Sequence, residues 1–100
     1  MPLKTTAEGL GKQAELYKKT VQKLAEHVGK PGFYPVLVEA QTSHEILMNW
    51  ELKFDNEVKS RKETERVKKI KLTVKSIRSD LAVAKGHLDQ ILSDYKKLQN

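Results

Sequence analysis

The side chains of this protein that are best equipped for chemistry are bases, and they are gathered in one place. Residues 59–78 hold nine of them (Lys59, Arg61, Lys62, Arg66, Lys68, Lys69, Lys71, Lys75 and Arg78) against two acids, Glu63 and Glu65. That leaves +7 in a chain whose formal charge is +6, so everything outside the segment sums to −1. A basic excess confined to one segment marks a single electropositive surface. Lys62, Arg66 and Lys69 step by four and three, and Lys68, Lys71 and Lys75 by three and four, which stacks each trio on one face of a helix.

Such a ridge can dock an acidic protein surface and speed the encounter with it. It can also lie along the phosphates of a nucleic acid or an anionic membrane, with binding that weakens steeply in salt. No aromatic residue interleaves with these bases for stacking, and no asparagine or glutamine stands among them for base readout. An acidic protein partner is therefore the leading functional reading, and nucleic acid or a membrane surface the alternative. The competing structural reading is a solvated helix face.

Other chemistry finds little support. His27, His44 and His87 fall on three different segments, none one helical turn from a second ligand, so the convergence that a helical zinc site needs is missing. Cysteine is absent, which removes disulfides, thiolate nucleophiles and every cysteine-based metal site. The acids stand mostly near lysines, Glu15 beside Lys18 and Lys19, Glu26 beside Lys23 and Lys30, as solvated pairs rather than carboxylates in a dry cleft. No glycine-rich phosphate loop and no nucleophile arrangement appears. The expectation is a non-catalytic protein without cofactor or metal. Trp50, the one tryptophan, reads as core packing, or as an interface anchor if part of it reaches solvent.

The elements that must carry these residues follow from apolar spacing. Val67, Ile70, Val74, Ile77, Leu81, Ala84, Leu88, Ile91, Tyr95 and Leu98 alternate steps of three and four, the seam of a long helix that needs companions. This seam looks like the stretch around which the chain is organised. Leu3, Ala7, Leu10, Ala14, Tyr17, Val21, Leu24 and Val28 repeat the pattern. Thr5 with Glu8 fits a capping box, and Gly9 and Gly11 weaken the first turns by ~1 kcal/mol each, so firm helix is expected nearer Leu10. Gly29 suits a left-handed helix stop, Pro31 ends the helix, and Pro35 suits the first residue of the next. Phe33 and Tyr34, in the connector, are expected to fold back over one end of the core.

Val36, Ala40, Ser43, Leu47, Trp50 and Phe54 share one helical face, and Thr42 with Glu45 marks a potential kink. The next stripe begins at Val67 in a different phase, so a turn is expected within 55–60, with Ser60 and Glu63 as a capping box. The alternative is one continuous helix of about 60 residues, which would force dimerisation or a domain swap. The reading is an all-α, single-domain chain, 1–100. It holds three long antiparallel helices, coiled-coil-like, at about 5–28, 36–56 and 61–98 with a loop at 29–35. The first turns of the third helix, 61–66, are expected to protrude, and dimerisation through that helix stays open.

The run Glu45-Ile46-Leu47-Met48-Asn49-Trp50-Glu51-Leu52-Lys53-Phe54-Asp55, followed by Arg61-Lys62 and Val67-Lys68-Lys69-Ile70, resembles BAG domains. These are three-helix cochaperone bundles whose last two helices engage a heat-shock chaperone ATPase domain. The resemblance covers about a quarter of the chain and implies the architecture; no functional residue is carried over from it.

The functional expectation is a helical protein–protein interaction module, such as an adaptor, an assembly subunit or a cochaperone-like factor. No apolar run reaches the roughly 20 residues of a membrane span. The start, Met1-Pro2-Leu3-Lys4-Thr5-Thr6, lacks the apolar stretch of a secretory signal. With no cysteine either, a cytoplasmic or other reducing intracellular compartment is expected.

Overall fold

Two glycines that look like weak points explain how the first helix sits. A computed structural model describes residues 2–99, and the side chains of all of these but Gln99. In it the helices are α1 (Leu3–Glu26), α2 (Phe33–Lys59) and α3 (Glu65–Gln99). α1 does not wait for Leu10. It starts at Leu3 behind Pro2, with no side-chain cap; Thr5 and Glu8 are both exposed and form no capping box. A Cβ placed on Gly9 would overlap the edge of the Trp50 ring, whereas one on Gly11 would meet only Ile77 of α3, at 3.6 Å. The propensity lost at Gly9 is thus exchanged for close approach of α2, and the helix is held from outside.

The three helices run up, down and up, so α3 is parallel to α1 and α2 antiparallel to both, in a bundle 53 × 19 × 17 Å. α1 packs along both neighbours, while the backbones of α2 and α3 hardly approach one another. The organising helix is therefore α1, not α3. Every seam residue of α1 from Leu3 to Leu24 is buried, with Leu10, Tyr17 and Leu24 wholly inaccessible. On α3 only Val74, Leu81, Ala84 and Ile91 are buried; Val67, Ile70, Ile77, Leu88 and Tyr95 are partly covered and Leu98 is exposed. A middle helix can be covered from two sides, and a flanking helix from one. Seam spacing alone does not say which is which.

The first connector behaves largely as its composition demands. Gly29 takes φ +77°, and the His27 carbonyl accepts from the Lys30 amide at 2.9 Å. Helix resumes at Phe33, two residues ahead of Pro35, because a first-turn proline forfeits no hydrogen bond. Phe33 does close the core, stacked on Tyr95 with ring centroids 4.2 Å apart; Tyr34 does not, being 69% exposed.

The second turn lies later than 55–60. α2 continues to Lys59, through Thr42 and Glu45 without a break, and the chain turns over residues 60–64. Ser60 closes α2 by donating to the Glu57 carbonyl at 2.9 Å, and Thr64 caps α3, its Oγ1 accepting from the Val67 amide at 3.2 Å. Val58 still packs on the core and Asp55 is gripped from α3, so ending α2 at Asp55 would abandon both contacts. Residues 61–64 accordingly form the turn rather than a protruding helix, and the uncovered end of α3 is its last turn, beyond Tyr95.

Candidate functional site

Folding divides the basic segment into three sets with different surroundings. Arg78 is the most embedded. It follows Val74 by four residues and precedes Leu81 by three, on the flank of the α3 seam. Its guanidinium donates to Glu51 Oε1 at 3.2 Å and to Asp55 Oδ1 at 2.9 Å, and stands 5.9 Å from the centroid of the Phe54 ring. Burial by itself would lower its pKa, but the hydrogen bonds and charges of Asp55 and Glu51 outweigh that and raise it. Arg78 thus ties α2 to α3, where the backbones themselves hardly meet.

Lys68, Lys71 and Lys75 form the second set, beside the furrow between α2 and α3. The furrow is floored by Phe54 and Val58 and edged by Leu72. Lys71 binds Glu63 at 3.0 Å and Lys68 lies 3.7 Å from Glu65. The hydrogen bond from Lys71 holds the Glu63 carboxyl below its ordinary pKa. Lys75 is exposed and makes no ion pair among the described residues.

The third set stands on the opposite flank of α3, where it faces α1. Arg66 and Lys69 line a groove with Lys4 and Glu8 of α1, over a floor that includes Ala7, Gly11, Ile70 and Ile77. The groove continues around Lys4 and Arg66 to the end of the bundle, where Arg61 and Lys62 join it. Lys4, Lys62, Arg66 and Lys69 are exposed and form no ion pair among the described residues. Lys59, at the end of α2, is exposed as well. The contribution of Lys4, Ala7 and Gly11 is invisible in the basic segment itself, since it comes from a helix more than fifty residues away in the chain.

The remaining candidates are structural in their surroundings. Trp50 is half-buried over Gly9, with Lys53 Nζ 5.2 Å from its ring. His27 Nδ1 pairs with the Lys23 carbonyl at 2.7 Å, and the His44 ring tilts against Tyr17 at 5.6 Å. No three metal-ligating side chains converge among the described residues. The Tyr17 hydroxyl is buried without a hydrogen-bond partner there; desolvation, and then the charge of Asp89, raise its pKa. No helix among the described residues is long and apolar enough to cross a membrane. Comparison with protein-family models, with curated proteins and with solved structures gives no match.

Proposed function

We propose that this chain is a non-catalytic helical interaction module that docks a partner protein bearing an acidic surface. One observation carries this reading. Lys4, Lys62, Arg66 and Lys69 lie exposed around an apolar-floored groove, with no intramolecular carboxylate spent on them among the described residues. Lys18, by contrast, is held by Glu15 one turn away, at 2.7 Å. Cations left unpaired beside apolar surface suit an incoming carboxylate whose apolar neighbours are buried at the same time.

The test is capture from native lysate at physiological salt, with and without nuclease, by the wild type and by a K62E/R66E/K68E/K69E variant. All four positions are exposed, so the variant keeps its helicity. The expected result is a discrete protein partner that survives nuclease and is lost with the charge reversal. Capture that collapses under nuclease would assign these bases to phosphate contacts and replace the reading with nucleic-acid binding.

A further inference from the structure

The groove between α1 and α3 differs in its charges from the furrow between α2 and α3. Lys4, Arg66 and Lys69 along the groove form no ion pair among the described residues, whereas Lys68, Lys71 and Arg78 of the furrow do. Lys4, Ala7, Glu8 and Gly11 form one wall, at the i, i+3, i+4, i+7 spacing of a single helical stripe. Arg66, Lys69, Ile70, Thr73 and Ile77 form the other. The walls are parallel helices, and small residues (Ala7, Gly11 and Thr73) keep the space between them open at about 670 Å³. From residue 66 to 77 it runs about 16 Å, the length of three turns of a docked helix. Including the adjoining end, five cations and one acid line it.

From this geometry we infer that the α1–α3 groove receives an acidic amphipathic helix of another protein, laid along it as a fourth helix of the bundle. The inference rests on the interaction-module reading and specifies its partner. Parallel ridges at helical spacing match the ridges of a third helix, and the small residues admit its larger ones. The incoming stripe must be apolar, to cover Gly11, Ile70 and Ile77, which the bundle leaves partly open. It must be flanked by Glu or Asp, to meet Lys4, Arg66 and Lys69.

A second copy of the chain does not fit. A two-fold pairing through this groove sets five cations on five, and the outward stripe of α2 (Tyr34, Val38, Met48, Leu52) carries Glu45 as its single acid. A bilayer surface would leave the floor uncovered, because Leu3 and Ala7 are buried and do not project. A nucleic acid would leave that apolar floor facing phosphates, with no aromatic residue in the lining to stack on.

The experiment uses the intact chain and a synthetic 18-residue helical peptide with leucines at i, i+3, i+4 and i+7 and glutamates on both flanks. The control peptide has lysines in place of the glutamates. Affinity is read by fluorescence anisotropy, and the site by backbone amide shifts. The expected result is binding of the Glu peptide alone, with shifts centred on Gly11, Thr73 and Ile77. R66E/K69E, and separately T73W, which fills the groove without touching its charge, should each weaken binding about tenfold or more.

Several results would overturn the groove assignment: equal binding of both peptides, no binding of the Glu peptide at about 1 mM, or shifts centred on Phe54 and Leu72 instead. So would a dimer broken by R66E/K69E, or preferential binding of phosphatidylglycerol vesicles or duplex DNA. Should T73W lose its helicity, the shift map of the unmodified protein decides. A lysate partner retained by T73W but lost by R66E/K69E would leave the interaction-module reading standing and remove the groove. A partner retained by both variants and by the fourfold charge reversal would remove both.

Discussion

The two flanks of α1 are built from similar residues and do different things. Towards α2 the surface is closed. Trp50 fills the space over Gly9, Thr6 Oγ1 donates to Glu57 at 2.8 Å, Gln13 donates to the Ser43 hydroxyl at 3.1 Å, and Lys23 meets Glu39 at 3.2 Å. Towards α3 the seam is buried beneath, but its outer margin stays open, with unpaired cations along a groove. The lesson is that polar groups mark an interface as finished or unfinished by whether they find partners. Every polar tie on the α2 flank has its complement within the chain. On the α3 flank Lys18 reaches Asp80 at 3.8 Å, but Lys4, Arg66 and Lys69 along the groove form no ion pair among the described residues, and there the chain has surface to offer.

The two glycines give the sharpest way to break this comparison. Gly9→Ala adds a methyl where the Trp50 ring already stands, so it should lower stability by about 2 kcal/mol despite its better helix propensity. Gly11→Ala adds the same methyl at ordinary contact distance from Ile77 and should raise stability by up to about 1 kcal/mol. Urea unfolding followed by circular dichroism measures both. Equal effects at the two sites would mean that the α1–α2 flank is no tighter than the α1–α3 flank.

A smaller effect separates the structural base from the exposed ones. Arg78→Ala removes two ion pairs and a cation–ring contact from a partly exposed site, and should cost about 1–2 kcal/mol after allowance for solvent screening. Lys69→Ala, on the open groove, should stay within about 0.5 kcal/mol. If Lys69→Ala proved as costly as Arg78→Ala, the cations of the groove would be structural too.

The smallest effect concerns the 60–64 turn, beside the open end. Glu63 titrates below the 4.5 of an unperturbed glutamate because Lys71 donates to it. A carboxyl with a depressed folded pKa contributes stability that is present above its unfolded value and lost as pH falls through the folded one. The pair is exposed, so the change is local: NMR titration should place the Glu63 midpoint below 4.5, and Lys71→Met should return it upward. An unshifted midpoint in the wild type would mean that the turn is not tied to α3 by this pair.

Much of the fold was legible without coordinates. The alternating steps of Leu3 to Leu24 and of Val67 to Tyr95 demand helices with a buried seam, and Gly29 with Pro31 ends the first of them, because each signal acts within a few residues. The turn at 60–64 was harder. It contains neither glycine nor proline, and three Ser/Thr–Glu patterns imitate a cap while the residue that does the capping is Thr64.

By itself, then, the sequence determined the class of the molecule: three amphipathic helices, a Gly/Pro connector at 29–35, and a basic excess carried by one segment. Those are consequences of spacing and composition, which neighbouring residues dictate to one another. Only the tertiary structure decided that α1 is the shared helix, that Gly9 is a seat for Trp50, and that one helix's bases divide between two flanks. Each of these depends on which partner approaches from which side, and that is set by long-range packing of side chains far apart in the chain. Arg78 shows the boundary most clearly. Its place beside the seam can be counted from Val74 and Leu81, but Glu51 and Asp55 reach it only because α2 folds back alongside.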